Sequence, residues 1–304
     1  MTAMYHQPVL LEESIEGLNI HPDGIYVDAT YGGGGHSKMI LDKLGNGRLI
    51  AFDQDPEAQE QLWDDGRLVF IRHNFRYMKN FVRYLGYDRL DGILADLGVS
   101  SHHLDEPERG FSFRFNAPLD MRMDPKAGIT AAYVLNEYGP AQLQDVFRQY
   151  GEVHKPRSLV DAILQAREDK RIESTFQLVE TLKSQTPVKY RNKFLAKIFQ
   201  ALRIEVNREI ENLKYFLLQS NEMLKKGGRL AVISYHSVED RVVKNYIKTG
   251  NFEGEPAKDF YGHEQAPMTP VNRKVITPSY QEIRANNRSR SAKLRIAEKQ
   301  ADDE

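Results

Sequence analysis

The chain has 304 residues, 40% apolar and 28% charged, with a net charge of −1 and no cysteine. That excludes disulfides, thiolate metal sites and cysteine nucleophiles, and it leaves no global field to draw the protein to a polyanion, so any nucleic acid must be held by local patches. The first residues lack the basic-then-apolar order of a signal peptide and no run approaches the length of a membrane span, so a soluble, cytoplasmic protein without membrane contact is expected.

Residues 1–24 read as a leading arm, in which Pro8-Val9-Leu10-Leu11-Glu12-Glu13 opens a short helix closing near Gly17 and Asp23-Gly24 makes a turn. An apolar run, Ile25-Tyr26-Val27, then ends in Asp28, and four glycines, Gly32 to Gly35, lead into a helix over about 37–44. A second strand, Arg48–Asp53, is followed by a helix from Asp55-Pro56 to about Trp63, with proline in its first turn. Leu68–Arg72 is a third strand, His73-Asn74-Phe75 follows it, and a helix covers Met78–Leu85. The fourth strand is Leu90–Leu97. Strands alternating with helices predict a parallel sheet covered on both faces. Ligands bind such sheets beyond the carboxyl ends of the strands, and Asp28, Asp53, Asn74-Phe75 and Asp96 all fall there.

The rhythm stops after Ser101. His102–Pro125 is irregular and rich in Gly, Pro, Arg and Phe; a loop that long in a compact domain is functional or disordered, and its aromatics argue against disorder. Helices are predicted over Ala131–Tyr138, Pro140–Tyr150, Ser158–Glu168 and Phe176–Gln185, as an all-α insertion. Helical periodicity then runs on from Asn192 to Leu224, closed by Lys225-Lys226-Gly227-Gly228. Arg229–Tyr235 resumes the sheet, Ser237 is a natural N-cap for a helix through about Lys248, and Gly250–Pro270 reads as a polar loop. Lys274–Ile276 and Ala292–Ala297 are the last predicted strands, with Ser279–Asn286 between them.

The glycine loop is the centre of this pattern. Glycines allow positive φ and close approach of a ligand to the backbone, and the helix behind them offers unpaired N–H groups to an anion. Asp53, 18 residues beyond Gly35, suits hydrogen bonds to ribose hydroxyls. Nicotinamide and S-adenosylmethionine enzymes share that geometry; the dinucleotide spacing G-x-G-x-x-G fits poorly, because starting from Gly32 and Gly34 its last position is Ser37. A dehydrogenase and a ribosome-assembly binder with a vestigial pocket are the rival readings.

Several longer stretches carry a resemblance. Asp28-Ala29-Thr30-Tyr31-Gly32-Gly33-Gly34-Gly35-His36-Ser37, Asp96-Leu97-Gly98-Val99-Ser100-Ser101, Arg109-Gly110-Phe111-Ser112-Phe113, Pro118-Leu119-Asp120-Met121-Arg122-Met123, Phe199-Gln200-Ala201-Leu202-Arg203-Ile204, Ser234-Tyr235-His236-Ser237-Val238-Glu239-Asp240-Arg241 and Asn287-Arg288-Ser289-Arg290-Ser291-Ala292-Lys293-Leu294-Arg295 are similar to motifs of the bacterial small-subunit (16S) ribosomal RNA cytosine-N4 methyltransferases. The resemblance spans nearly the whole chain. It implies an α/β, Rossmann-like methyltransferase domain with a mostly parallel sheet, residues 1–110 and 213–304, interrupted by an inserted all-α domain, residues 111–212, for RNA recognition. It implies S-adenosyl-L-methionine as cofactor, held by Gly34, Gly35, His36, Asp53 on the ribose, Phe75 near the adenine, Asp96 and His103. The partner it implies is 16S ribosomal RNA in the small ribosomal subunit, with a cytidine near the decoding centre as target; a monomer and a homodimer are both open.

Methyl transfer to an exocyclic amine needs an acceptor for one amine hydrogen, since the nitrogen lone pair is delocalised into the ring. Asp96, or a carbonyl beside it, is the expected acceptor, with Asp96 as a cap or cofactor contact only as the alternative, and His236 is expected to line the base pocket or to be structural. His102, His103 and Asp105 on an irregular loop are a weak metal set, and no metal is expected. Phe111 and Phe113 with Arg109 and Arg114 either clamp RNA or fold over their own core. Two acid-free basic runs, Lys189, Arg191, Lys193 and Lys197, and Arg284, Arg288, Arg290, Lys293 and Arg295, are the candidate RNA contacts.

Overall fold

The computed structural model describes residues 8–98, 107–126, 128–185, 188–258 and 264–300. They fall into two compact units, one made of Met1–Gly98 with Ile210–Glu304, the other of Val99–Glu209.

The first unit is built on a seven-stranded sheet of order β3-β2-β1-β4-β5-β9-β8. Its strands are β1 (Ile25–Asp28), β2 (Arg48–Asp53), β3 (Leu68–Arg72), β4 (Leu90–Asp96), β5 (Leu224–Ser234), β8 (Met268–Pro270) and β9 (Lys293–Lys299). The first five are parallel, and β9 and β8 close the sheet antiparallel. A further short pair, β6 (Ala257–Lys258) and β7 (Glu264–Gln265), stands apart from it. Tyr26, Val27, Leu49, Ile50, Phe52, Ile93 and Leu94 have no exposed surface, as continuous apolar strands require when helices cover both faces. One covering layer includes α1 (Leu11–Leu18) and α2 (Gly35–Lys43), whose Ile15, Leu18, Ile40 and Leu41 pack with Leu94, Ile233 and Ile296. Truncating any of these to alanine is worth about 2–5 kcal/mol.

Four local features depart from the sequence pattern. The helical stretch from 191 does not run on: Arg191–Asn207 ends at Arg208, which takes φ of 49°, and a new helix covers Glu209–Met223. Lys225–Gly228 do not close a helix; they are looped out of β5, between the pairs Leu90↔Leu224 and Gly92↔Arg229. A Cβ on Gly228 would lie 2.9–3.2 Å from three carbonyl oxygens, so only glycine fits that turn. Near the C-terminus the edge strand is Met268–Pro270, inside the expected loop, whereas the expected strand at Lys274–Ile276 is a single bridge from Ile276 to Leu294. The helix expected to Trp63 is a 3-10 turn over Pro56–Gln61.

The second unit is helical in its described part, with helices Ala131–Glu137, Pro140–Gln149, Arg157–Asp169, Thr175–Thr181 and Arg191–Asn207. They enclose a core of their own, in which Leu135, Leu143, Phe147, Val160, Ile163 and Leu202 are fully buried. The irregular segment before them belongs to that core. Phe111 is 8% exposed, Phe113 meets Phe199 edge-on at 5.5 Å, and Arg109 donates to the carbonyls of Arg122 and Met123 at 2.7 and 2.9 Å. Of the two readings for this segment, the loop folded over its own core holds at Arg109, Phe111 and Phe113. No helix among the described residues is long and apolar enough to cross a membrane.

Candidate active site

The tips of β1, β2 and β4 meet the glycine loop. Asp28 ends β1 fully buried; it accepts from the Ser37 hydroxyl at 2.6 Å and from the Thr30 amide at 3.1 Å. Burial lifts its carboxyl to about 6 against those two hydrogen bonds, with the Asp53 charge adding to the rise. Asp28 thus ties the strand end to the first turn of α2.

The loop between them has φ of 52° at Gly32 and 75° at Gly34, a conformation that glycine adopts without steric cost. Gly34 also passes close to aromatic rings: a Cβ there would meet Trp63 at 2.4 Å and the Tyr31 hydroxyl at 2.7 Å. At Gly35 a Cβ would meet the Pro8 ring at 2.1 Å. Asp53 faces this loop. Its carboxylate accepts from the Gly32 amide at 2.8 Å and from the Asp55 amide at 2.9 Å. Beyond β3, Asn74 donates to Gln54 at 2.9 Å, tying the tips of β2 and β3, and Phe75 follows in a 3-10 turn, packed edge-on at 5.2 Å against Phe216.

Asp96 ends β4 with its side chain 17% exposed. Its amide donates to Thr30 Oγ1 at 2.6 Å, and Oδ1 accepts from the Tyr235 hydroxyl at 2.8 Å. Oδ2 lies 4.0 Å from His36 Nδ1, while His36 Nε2 is 3.1 Å from the carbonyl of Val9. Burial raises the Asp96 carboxyl to about 7; the Tyr235 hydroxyl opposes that rise, and the charges of Asp28 and Glu239 reinforce it. Burial and the neighbouring Asp96 hold the Tyr235 phenol well above its ordinary value, so it stays a donor. Gly34, Gly35, His36, Asp53, Phe75 and Asp96 therefore stand along one rim; His103 lies outside the described residues, as do His102 and Asp105.

His236 is the N-cap of the helix Ser237–Thr249, the position expected for Ser237: its Nδ1 accepts from the Glu239 amide at 3.3 Å. Its Nε2 is 3.1 Å from Glu239 Oε1, but the angle is too poor for a hydrogen bond. Glu239 is 3% exposed and accepts from the Tyr235 amide at 3.0 Å. The ring also lines a cavity of about 220 Å³ with Tyr235, Ser237, Thr277, Arg290 and Lys293. His236→Ala is expected to lower stability by about 1 kcal/mol through loss of the cap, read as a shift in denaturation midpoint. Tyr235, Thr30 and Glu239 were not singled out by type. Their signal was membership of the motifs that follow β1 and β5, with Thr30 and Tyr235 just past a buried strand.

A profile of the MraW methylase family matches residues 3–300. The chain belongs to that family. It is 56% identical over 296 residues to a ribosomal RNA small subunit methyltransferase H of Bacteroides fragilis, covering 97% of each chain. It is 56% identical over 299 residues to the protein of that name in Flavobacterium johnsoniae, covering 98% of this chain and 99% of the other. A solved rRNA methylase from Streptococcus thermophilus is a distant likeness, with a TM-score of 0.42 and 15% identity over 98% of this chain and 100% of that one.

The family's methyl donor is S-adenosylmethionine, and the rim fits it. The donor carries an amino-acid carboxylate, two ribose hydroxyls and a purine. The rim supplies amides at a helix N-terminus for the first, the Asp53 carboxylate for the second, and the Phe75 ring at the next strand tip for the third.

Proposed function

We propose that the protein methylates the exocyclic N4 amine of a cytidine in small-subunit (16S) ribosomal RNA near the decoding centre, as part of the small ribosomal subunit. The names of the curated relatives support the RNA class. The single observation that carries the chemistry is the setting of Asp96, a largely buried carboxylate at the cofactor rim, held by the Tyr235 hydroxyl while Thr30 anchors its backbone amide, and raised to about 7.

S-adenosylmethionine, when bound, supplies an electrophilic methyl on a sulfonium. The glycine-loop amides, His36 and Asp53 would hold its amino acid and ribose, and Phe75 would cover the purine; His103, which the resemblance adds, lies outside the described residues. Asp96 turns its unprotonated oxygen to the cytidine amine and takes one N–H proton as the new C–N bond forms. The amine would gain one methyl as the methyl–sulfur bond breaks and leaves its electron pair on sulfur, and it would lose one proton, which rests on Asp96. A base is best matched when its value lies near the working pH, and Tyr235 keeps the carboxylate oriented. The cavity beside His236 receives the target nucleotide, with Arg290 and Lys293 on its phosphate. Residues 111–212 hold the surrounding RNA. Lys189, Arg191 and Lys193 there are exposed, and no carboxylate among the described residues pairs with them.

Transfer of a labelled methyl to purified small subunits tests this reading. Product appearing as N4-methylcytidine supports it; label on another base or position overturns it.

A further inference from the structure

A second concave site lies on the same sheet, three strands from Asp96. It is a cavity of about 330 Å³ beside the edge strand β8, between the last turns of the helix Ser237–Thr249 and residues 270–275. That volume is at the low end for ligand pockets, about 300–1,000 Å³. Its apolar side-chain lining comes from Ile247, Pro270 and Val275, while Leu294 and Ile296 border it along β9 with their side chains packed in the core on the other face of the sheet. Five cations line it: Arg295, which is paired with Asp240, and four at the rim, Lys244, Lys248, Arg273 and Lys274. All four are exposed, and no carboxylate among the described residues pairs with any of them. Asn272, also in the lining, has its Oδ1 buried with no hydrogen-bond partner among the described residues.

Each feature names part of the occupant. A buried acceptor calls for a donor, an apolar slot takes a flat or aliphatic group, and unpaired cations on a protein of net charge −1 call for an anion. A nucleotide offers the three together: an amino or imino hydrogen, a base face and flanking phosphates. A free phosphate leaves the slot and Asn272 unused, and a lipid acyl chain leaves Asn272 unpaired. The pocket lies on the same sheet as Asp96, at its antiparallel edge. Strands β4, β5, β9 and β8 are neighbours, so the step from Asp96 to the edge is three strand spacings, about 14 Å.

We propose that this edge pocket is a second RNA site, which takes one unpaired nucleotide a few positions from the methylated cytidine. The base enters over Ile247 and Val275 and donates to Asn272. Its neighbouring phosphates lie on Lys244, Lys248, Arg273 and Lys274. The proposal rests on the RNA-methyltransferase reading, and it adds a contact that positions substrate without touching the reacting atoms.

The test uses the full chain, a single-stranded RNA of about 15 nucleotides, and small subunits. Lys244→Ala/Lys248→Ala is expected to weaken RNA binding at least fivefold at physiological salt. The dependence of log affinity on log salt becomes shallower by about 1.4, the value for two single-strand phosphates. Asn272→Ala weakens binding severalfold with the salt slope unchanged, as loss of a base contact should. In methylation assays both variants raise KM for small subunits and leave kcat within twofold. Binding of S-adenosylhomocysteine, measured by calorimetry, stays at the wild-type value and shows that the variants are folded. RNA affinity, salt slope and KM all unchanged in both variants, while the wild type methylates normally, overturn the edge site and leave the RNA reading intact. A wild type that methylates no RNA overturns both. Loss confined to binding of anionic phosphatidylglycerol vesicles, or to an acidic peptide, overturns the RNA assignment of the pocket.

Discussion

Asp96→Asn is expected to lower turnover by about two to four orders of magnitude, the range set by a general base, while affinity for S-adenosylhomocysteine changes only a few-fold. Asparagine keeps an oxygen to accept from Tyr235, which now bonds Oδ1 at 2.8 Å, so the site should hold its shape. What it loses is the ability to take a proton. The wild-type rate should climb with pH through about 7 and level off above it, because the ionised carboxylate is the active form. The residual rate of the variant should be flat over that range. Stability should move the other way. A carboxyl raised in the folded state binds its proton more tightly there than in the unfolded chain. Its stabilising contribution is complete below about pH 4 and is lost as pH rises through about 7. Asp96→Asn should therefore be more stable than wild type at pH 8, by roughly 2–4 kcal/mol at about 1.4 kcal/mol per unit, and no more stable at pH 4. Chemical denaturation at the two pH values reads this directly. A cap or a cofactor contact would not predict the flat pH profile, whereas the stability gain follows from the raised carboxyl in either role.

Asp53→Ala is expected to weaken S-adenosylhomocysteine binding by about two orders of magnitude. A carboxylate hydrogen bond is worth about 1.5–3 kcal/mol, and the ribose offers two hydroxyls to this one. The same change frees the Gly32 amide, now 2.8 Å from Asp53 Oδ2, and the Asp55 amide, 2.9 Å from Oδ1. The loop that binds the amino-acid end thus loosens as well. Calorimetric titration measures the effect, and an affinity within threefold of wild type would remove Asp53 from the cofactor site. Asp53→Asn should fall between, since it accepts at one oxygen and meets the amides with a donor at the other.

The sheet was legible because its strands are short, apolar and bounded by turn residues. β1, β2 and β3 occupy the residues read from the pattern, and their ends carry the polar tips. The break at 208 was not legible, because the left-handed position is held by Arg208 and not by the glycine or asparagine that marks such a turn. The loop 225–228 was misread for the opposite reason: two lysines before two glycines mimic a helix end, yet here Gly227 turns the chain at φ of 77° and Gly228 relieves contact with carbonyls of β4. At the rim the acids were visible as residue types. Their coupling was not, because it joins distant segments: Tyr235 to Asp96, Thr30 to Asp96, Ser37 to Asp28. The second basic run was only half legible. Lys293 and Arg295 both bond Asp240, at 3.0 and 2.7 Å, so they brace the helix after β5 against β9 as much as they face solvent.

The most direct measurement is mass mapping of modified nucleosides in small-subunit ribosomal RNA from cells with and without this protein. The expected result is one cytidine near the decoding centre that carries an N4 methyl only when the protein is present and that the Asp96→Asn form fails to restore. An unchanged methylation map, or a lost methyl on carbon 5 or on another base, would contradict it.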